Sequence, residues 1–444
     1  MNQSDLAPRL VRARVAVFAL FLTNGALFAN IVPRYPEIKD VFGLSDPAYG
    51  ATIALFSLGS IALGALAVEL IAKYSSATTA VIGTVGIGAA LAIVGAATVW
   101  RDSMGELAGS AGVFAYGLFA LAFLLAGGLD AVTDVGQNAH GLRVQRLYGR
   151  PLINGFHGGW SVGAMIGGVM GTAASALGIP IGWHLLAAAL VFIAVGFLAS
   201  RFALPGKDPA VGEADPILLE FGARASAPAD VPGGIAAVTE YAEGPDGQMR
   251  VRTVGRSAPI VIAALTALCI ACMLIEDAGA SWSALYMRDY IGVVPGAVGL
   301  AYVSLLAAQT IGRLTADRIM ALLGAKRTVL LGAILITCGM GLAVAFPSAI
   351  GTVSGMAFAG FGCAPLIPIA YNAADDIPGL KPGVGLTIVT WLCRLAPLSA
   401  PPLVGLIVES TSLRAAMIVV PLAGLLALAM STVIAPTPRR RARN

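Results

Sequence analysis

Gly312-Arg313-Leu314-Thr315-Ala316-Asp317-Arg318, followed by Gly324-Ala325-Lys326-Arg327, places one acid and four bases between two long apolar runs, near 296–317 and 328–346. Each run is close to the ~20 residues that a helix needs to cross a ~30 Å hydrocarbon core. A short basic segment between two such runs reads as a turn joining two membrane helices, because Lys and Arg are retained on the cytoplasmic side during insertion.

Further apolar runs lie near 14–33, 48–71, 78–100, 110–136, 152–177 and 182–202, then near 259–279, 349–374, 384–408 and 413–435. The composition agrees: 57% of the 444 residues are hydrophobic, 12% are charged, and the mean hydropathy is +0.84. A soluble domain carries about 25% charged residues, so soluble folds are excluded. The 54 glycines suit helices that pack closely in lipid through small residues, whereas a β-barrel would show short alternating segments. The expected fold is all-α and integral to the membrane: twelve transmembrane helices as two six-helix bundles, 1–202 and 258–444, the second ending in a basic tail. Residues 203–257 form an expected cytoplasmic linker, with Lys207, Asp208, Glu213 and Asp215 among its charges and with Gly244-Pro245-Asp246-Gly247 as a possible hairpin turn between 235 and 255.

Placing both termini inside puts 22 of the 28 Lys and Arg on the cytoplasmic side and five on the other, and leaves Arg394 within the membrane. This pattern predicts a bacterial inner-membrane protein with cytoplasmic termini, and it makes the basic tail topogenic rather than nucleic-acid binding. No cleavable signal peptide is expected, because the first apolar run is full length and lacks a small-residue cleavage pattern. The five cysteines all fall in apolar runs. Cys269 and Cys272 form a C-x-x-C without a second ligand pair in the sequence, which argues against a metal or redox site. Gly159-Trp160-Ser161-Val162-Gly163 fits the nucleophile-elbow pattern, but it lies in an apolar run whose glycines recur as Gly159, Gly163, Gly167 and Gly171. That ladder predicts a helix-packing seam. His140, His157 and His184 form no H-E-x-x-H motif, and the linker is too short and polar to bury much core. An enzyme or a membrane sensor is the competing class that these features disfavour.

The two halves repeat locally: Gly128 precedes Asn138-Ala139 by ten residues, and Gly362 precedes Asn372-Ala373 by ten. The segment from Gly312 to Arg327 resembles the loop signature of the major facilitator superfamily, in which Gly312, Arg313, Asp317, Arg318, Lys326 and Arg327 would lock neighbouring helices. Its first-half counterpart, from Gly64 through Glu69 to Lys73, lacks the aspartate and most of the bases. Four stretches look like the MosC/YbjJ-like branch, which lies near the fucose–proton symporters. They are Asn24-Gly25 through Pro36, Asp134 through Gly141, Gly149 through Ser161, and Glu276 through Ser283. The resemblance implies a central cavity, alternating access, and a sugar-like or polyol-like cargo. Antiporters of the superfamily carry G-P-x-x-G-G in the fifth span. Here Gly163-Ala164-Met165-Ile166-Gly167-Gly168 has alanine for that proline, which disfavours drug or metabolite efflux, the alternative reading.

Ionisable groups inside a span cost several kcal/mol unless they face water or a partner, so each is a functional candidate. Asp130, Asp134 and Asn138 recur every four residues and share one helical face. Two carboxylates there cannot both ionise cheaply, which suits a group that loads and releases a proton. The fucose–proton resemblance assigns that role to Asp134. Such symporters also have an acid in the first span, where this chain offers only Asn24 and Asn30. His157 adds an imidazole that titrates in the physiological range, and Glu276 ends the seventh apolar run. Arg394 is a fixed cation in mid-span. It either pairs with Asp134 or Glu276, or binds an anionic substrate through its donor fork. Trp160, Gln309, Asn372 and Trp391 complete the candidate substrate contacts. The expected function is proton-coupled symport of a small polar solute, sugar-like, polyol-like or an organic anion. No cofactor is expected beyond the proton gradient, and the expected partners are substrate, protons and lipid around a monomer.

Overall fold

The computed structural model describes residues 6–105, 109–149, 152–209, 215, 257–375, 377, 380 and 384–435. The expected hairpin at 235–255, most of the linker and the basic tail lie outside them.

Among the described residues, ten helices are long and apolar enough to cross a membrane, and an eleventh is counted if the pair Asp46–Leu63 and Leu66–Lys73, bent by 51°, is one span. The first unit contains span 1 (Leu6–Val41), span 2 (that bent pair), span 3 (Ser76–Ser103), span 4 (Gly109–Tyr148) and span 6 (Ile181–Ser200). The second contains span 7 (Ala258–Tyr290), span 8 (Pro295–Leu323) from Leu300 onward, span 9 (Ala325–Ala345), span 10 (Ala349–Asp375), span 11 (Val384–Ser410) and span 12 (Leu413–Val433). Ile153–Ala176, span 5, is the remaining long helix of the first unit. Its glycines dilute its hydropathy, so it stands outside the apolar set although it packs along span 1. Contacts divide the chain into Met1–Gly233 with Val294–Gly299, and Gly234–Val293 with Leu300–Asn444.

Serines set several helix starts. Ser45, Ser75, Ser348 and Ser412 accept hydrogen bonds from the backbone N–H groups of Ala48, Thr78, Gly351 and Ala415, each satisfying one of the donors that a helix N-terminus leaves unpaired. Gly324, at φ +79°, makes the turn between spans 8 and 9 in the left-handed region that a side chain disfavours.

Three helices run past their apolar windows. Span 4 continues to Tyr148, span 1 passes through a 3₁₀ turn at Val32–Arg34 into Tyr35–Val41, and span 7 continues to Tyr290. Hydropathy ends at the first polar cluster, but backbone hydrogen bonding does not. Glu276 and Asp277, expected at the end of span 7, therefore lie inside it, immediately before a π turn at Ala278–Trp282. Span 11 is interrupted at Arg394 between Val384–Cys393 and Leu395–Ser410. Pro397, Pro401 and Pro402 follow and cannot donate to the carbonyls one turn earlier.

Neighbour relations repeat between the units. Span 4 packs against spans 2 and 3, and span 3 against span 6; likewise span 10 packs against spans 8 and 9, and span 9 against span 12. Gly128 and Gly362, the matched glycines of the repeat, both sit at tight crossings: an added Cβ would lie 2.4 Å from Leu63 Cδ1 and 2.5 Å from Gly332 O.

Candidate functional site

Span 4 carries the polar face of the first unit. Asn138 Nδ2 donates to both the carbonyl and Oδ1 of Asp134, at 2.9 Å each. One turn earlier, Asp130 is hydrogen-bonded to the side chain of Asn24 on span 1, and the two carboxylates are close enough to repel. Asn24 is buried, and its Oδ1 has no hydrogen-bond partner among the described residues. Asp134 is exposed, whereas Asp130 and Asn138 are half-buried. The array therefore sets two hydrogen-bonded carboxylates four residues apart, Asp130 half-buried beside Asn24 and Asp134 exposed beside Asn138.

The same stretch of span 1 meets span 5. The exposed His157 sets its ring edge-on to Phe21, with centroids 5.2 Å apart. Trp160 is half-buried, and its carbonyl lies so close to Gly25 that a Cβ there would come within 2.1 Å of it. Asn30 is placed differently. It is fully buried, its Nδ2 donates to Ala26 O at 2.7 Å, and its Oδ1 lies 2.9 Å from His184 Nε2. Its amide is thereby committed to holding spans 1 and 6 together. Close by, the buried Arg34 donates to Glu37 and to Ile179 O, and Glu37 accepts from Ser175.

In the second unit Glu276 is the hub. Its Oε1 accepts from Gln309 Nε2 and lies 3.5 Å from Arg313 NH2, so spans 7 and 8 are tied by a carboxylate, an amide and a guanidinium. Arg313, expected in the loop lock, thus reaches back to an acid inside span 7. Gly312 packs against Phe361 and Ala364 of span 10. Asp317, Arg318 and Arg327 are exposed and Lys326 is half-buried.

Glu276 is not the partner of Arg394. The Arg394 side chain is exposed at the break in span 11 and makes no hydrogen bond or ion pair within the second unit among its described residues. Trp391, one turn earlier, is exposed, and Asn372 is half-buried on span 10.

The sequence reading missed a charged cluster at the far end of span 4. Arg143 is 1% exposed and grips Asp215 with two donors, Nε at 2.7 Å and NH2 at 2.9 Å. It also donates to the carbonyls of Pro205 and Gly206. Asp208 accepts from the N–H and hydroxyl of Ser76 at the start of span 3, both at 2.6 Å, where a helix N-terminus favours an anion. Leu204 N donates to His140 Nε2, which leaves His140 Nδ1 to donate to Ser76 Oγ, 3.3 Å away. The start of the linker is therefore docked on spans 3 and 4. The available signal was local: the first-half loop lacks most of the bases that its second-half counterpart has, and the linker opens with acids.

Comparisons with known proteins place this architecture. A family model described as Major Facilitator Superfamily matches residues 266–444. The chain is similar to an uncharacterised MFS-type transporter of Yersinia pestis, 24% identical over 98% of this chain and 97% of that one. It is also similar to membrane protein MosC of Rhizobium meliloti, 31% identical over 33% of this chain and 36% of the relative. Among solved structures, a mutant form of the nucleoside transporter NupG aligns with TM-score 0.62 at 13% identity, over 95% of this chain and 98% of that one. A bacterial homologue of the iron transporter ferroportin, in an inward-facing state, gives 0.63 at 14% identity, over 97% and 100%. The transporter FucP, in an outward conformation, gives 0.52 at 15% identity, over 95% and 98%. At such identities the solved structures establish the fold. The family match over the second half and the full-length relative make the chain similar to multi-pass membrane transporters of the major facilitator superfamily.

Proposed function

We propose that this transporter moves a small polar solute by proton-coupled symport, with Asp134 as the proton carrier and Asp130 as its anchored partner. The observation that carries the reading is the span-4 array: two carboxylates one turn apart, one bonded to Asn24 and the other to Asn138. A carboxylate that is exposed and hydrogen-bonded can exchange a proton without leaving a bare charge in the membrane. The transporter works by alternating access in the bacterial cytoplasmic membrane, as a monomer with both termini cytoplasmic, and it draws on the proton gradient without a cofactor. The distribution of Lys and Arg supports that orientation.

The test uses purified protein in proteoliposomes, with cargo taken from a thermal-shift panel of sugars, polyols and organic acids at two pH values. Asp134→Asn should abolish uptake driven by a pH gradient while sparing substrate exchange. Gradient-driven uptake at the wild-type rate would remove Asp134 from the mechanism.

Arg394 favours an organic anion within that class, because its guanidinium is exposed and has no acid beside it among the described residues of its unit. Arg394→Gln is expected to lose the thermal shift given by carboxylates, a binding loss of about 10-fold or more if one charge-assisted fork is removed. Retention of the full shift would assign Arg394 to structure instead.

A further inference from the structure

The two cysteines of the C-x-x-C in span 7 do not face each other; each meets a cysteine from a different helix. Cys269 is hydrogen-bonded to Cys393 of span 11, and Cys272 to Cys363 of span 10. The second ligand pair that the linear sequence lacks is thus supplied in space. Glu276 stands one turn beyond Cys272. The sulfur atoms of Cys272 and Cys363 and a carboxylate oxygen of Glu276 all lie within 4.8 Å of one another. Both cysteines are buried and Glu276 is half-buried, so the carboxylate is the face through which an ion can arrive. Gln309 adjoins both ligand types: its Nε2 donates to Glu276 and lies 3.6 Å from Cys363 Sγ.

We propose that Cys272, Cys363 and Glu276 form a binding site for a thiophilic divalent cation of the Zn²⁺ or Cd²⁺ type. Two sulfurs and one carboxylate oxygen are a soft-to-borderline donor set that selects such ions over Mg²⁺ or Ca²⁺. Tetrahedral Zn²⁺, with bonds of about 2.3 Å to sulfur and about 2.0–2.2 Å to oxygen, needs ligand atoms roughly 3.5–3.8 Å apart. The three atoms, within 4.8 Å of one another, therefore close by roughly 1.3 Å at most, within reach of side-chain rotation. The fourth position is left for water, and an open position permits exchange.

Charge balance agrees with the geometry. Without metal, the thiols are neutral and the Glu276 carboxylate is offset by Arg313, 3.5 Å away. On binding, two S–H bonds break, two metal–sulfur bonds form and two protons leave. The site then holds two thiolates, one carboxylate, one guanidinium and one divalent cation, which again sum to zero. In a helix bundle, where unbalanced charge costs several kcal/mol, such an exchange avoids the main penalty of metal capture. The inference does not depend on the span-4 acids, so it can fail while the proposed symport stands, and the reverse.

Cadmium is the probe. Titrating the reduced, detergent-purified chain with Cd²⁺ should give one equivalent of sulfur-to-metal charge-transfer absorption in the ultraviolet. The band should persist in Cys338→Ser and Cys393→Ser and be lost in Cys272→Ser and in Cys363→Ser. Glu276→Gln should weaken binding by about 10-fold or more. Because two protons are released, apparent affinity should rise with pH, by about 100-fold per unit while the thiols remain protonated in the free protein. Mass spectrometry after maleimide labelling of the unaltered chain gives a second reading that needs no variant: Cd²⁺ should protect Cys272 and Cys363 and leave Cys338 reactive. Absence of the band, a band that survives Cys272→Ser, affinity independent of pH, or protection confined to other cysteines would each overturn the site.

Discussion

Arg143→Gln is expected to destabilise the first unit by about 3–5 kcal/mol, the range found when one member of a buried ion pair is removed, and to lower the thermal midpoint of the purified protein accordingly. The size follows from what is left behind. Asp215 is 7% exposed and takes two short charge-assisted hydrogen bonds from Arg143. Glutamine cannot offer the parallel fork, and Lys has a single charged head, so Arg143→Lys should recover only part of the loss. The carbonyls of Pro205 and Gly206 would lose donors in the same step. Asp208 keeps its bonds to Ser76, so the linker start should loosen around Asp215 before it leaves span 3. Combining Arg143→Met with Asp215→Leu should restore most of the stability, because two apolar side chains in place of a buried pair leave no orphan charge. The excess over additivity measures the coupling between the two residues. Melting of Arg143→Gln at the wild-type temperature would mean that the cluster contributes nothing.

The cluster also marks the limit of what the sequence discloses. Membrane class and helix number to within the bent span 2 and the glycine-rich span 5 follow from hydropathy, because lipid forces every backbone polar group into a helix or a closed barrel. The Asp130–Asp134–Asn138 face is legible for a related reason, since helical periodicity fixes which residues share a side. Contacts between elements far apart in sequence are not. Arg143 reads as a topogenic base, and only folding brings it to Asp215, 72 residues away. Cys272 and Cys363 are separated by 91 residues, and no spacing rule connects them. Asn30 shows the opposite error: a polar residue in an apolar run invites a substrate role, yet its amide is used up within the bundle by Ala26 and His184. Glu276 moved from helix end to helix interior because span 7 continues through π turns that hydropathy does not register.

Gly163→Leu should abolish the folded protein, and Gly163→Ala should already lower stability by about 3 kcal/mol, at the upper end of what overpacking usually costs. An added Cβ at Gly163 would lie 1.9 Å from Leu22 O and 2.8 Å from Leu22 Cα. Both obstacles are backbone, so no rotamer change relieves them and spans 1 and 5 must move apart. That movement spreads along the seam. Gly167 faces Ala26 O and Gly171 faces Asn30 O, where a Cβ would stand at 2.3 and 2.4 Å. The carbonyls of Leu22, Ala26 and Asn30 thus recur at the four-residue interval of the glycines, and the weak Cα–H···O contacts that such an approach permits would be lost together. Separation would also pull Gly25 from the Trp160 carbonyl and disturb the segment of span 1 that holds Asn24 against Asp130. The same helix contains its own control. A Cβ added at Gly158 would meet nothing within 4 Å, so Gly158→Ala should be neutral, or stabilising by up to about 1 kcal/mol through helix propensity. Size-exclusion profiles after graded heating separate the two cases: loss of the monodisperse peak for Gly163→Leu beside an unchanged or later-melting Gly158→Ala. Equal behaviour of the two variants would show that span 5 meets span 1 less closely than the seam requires.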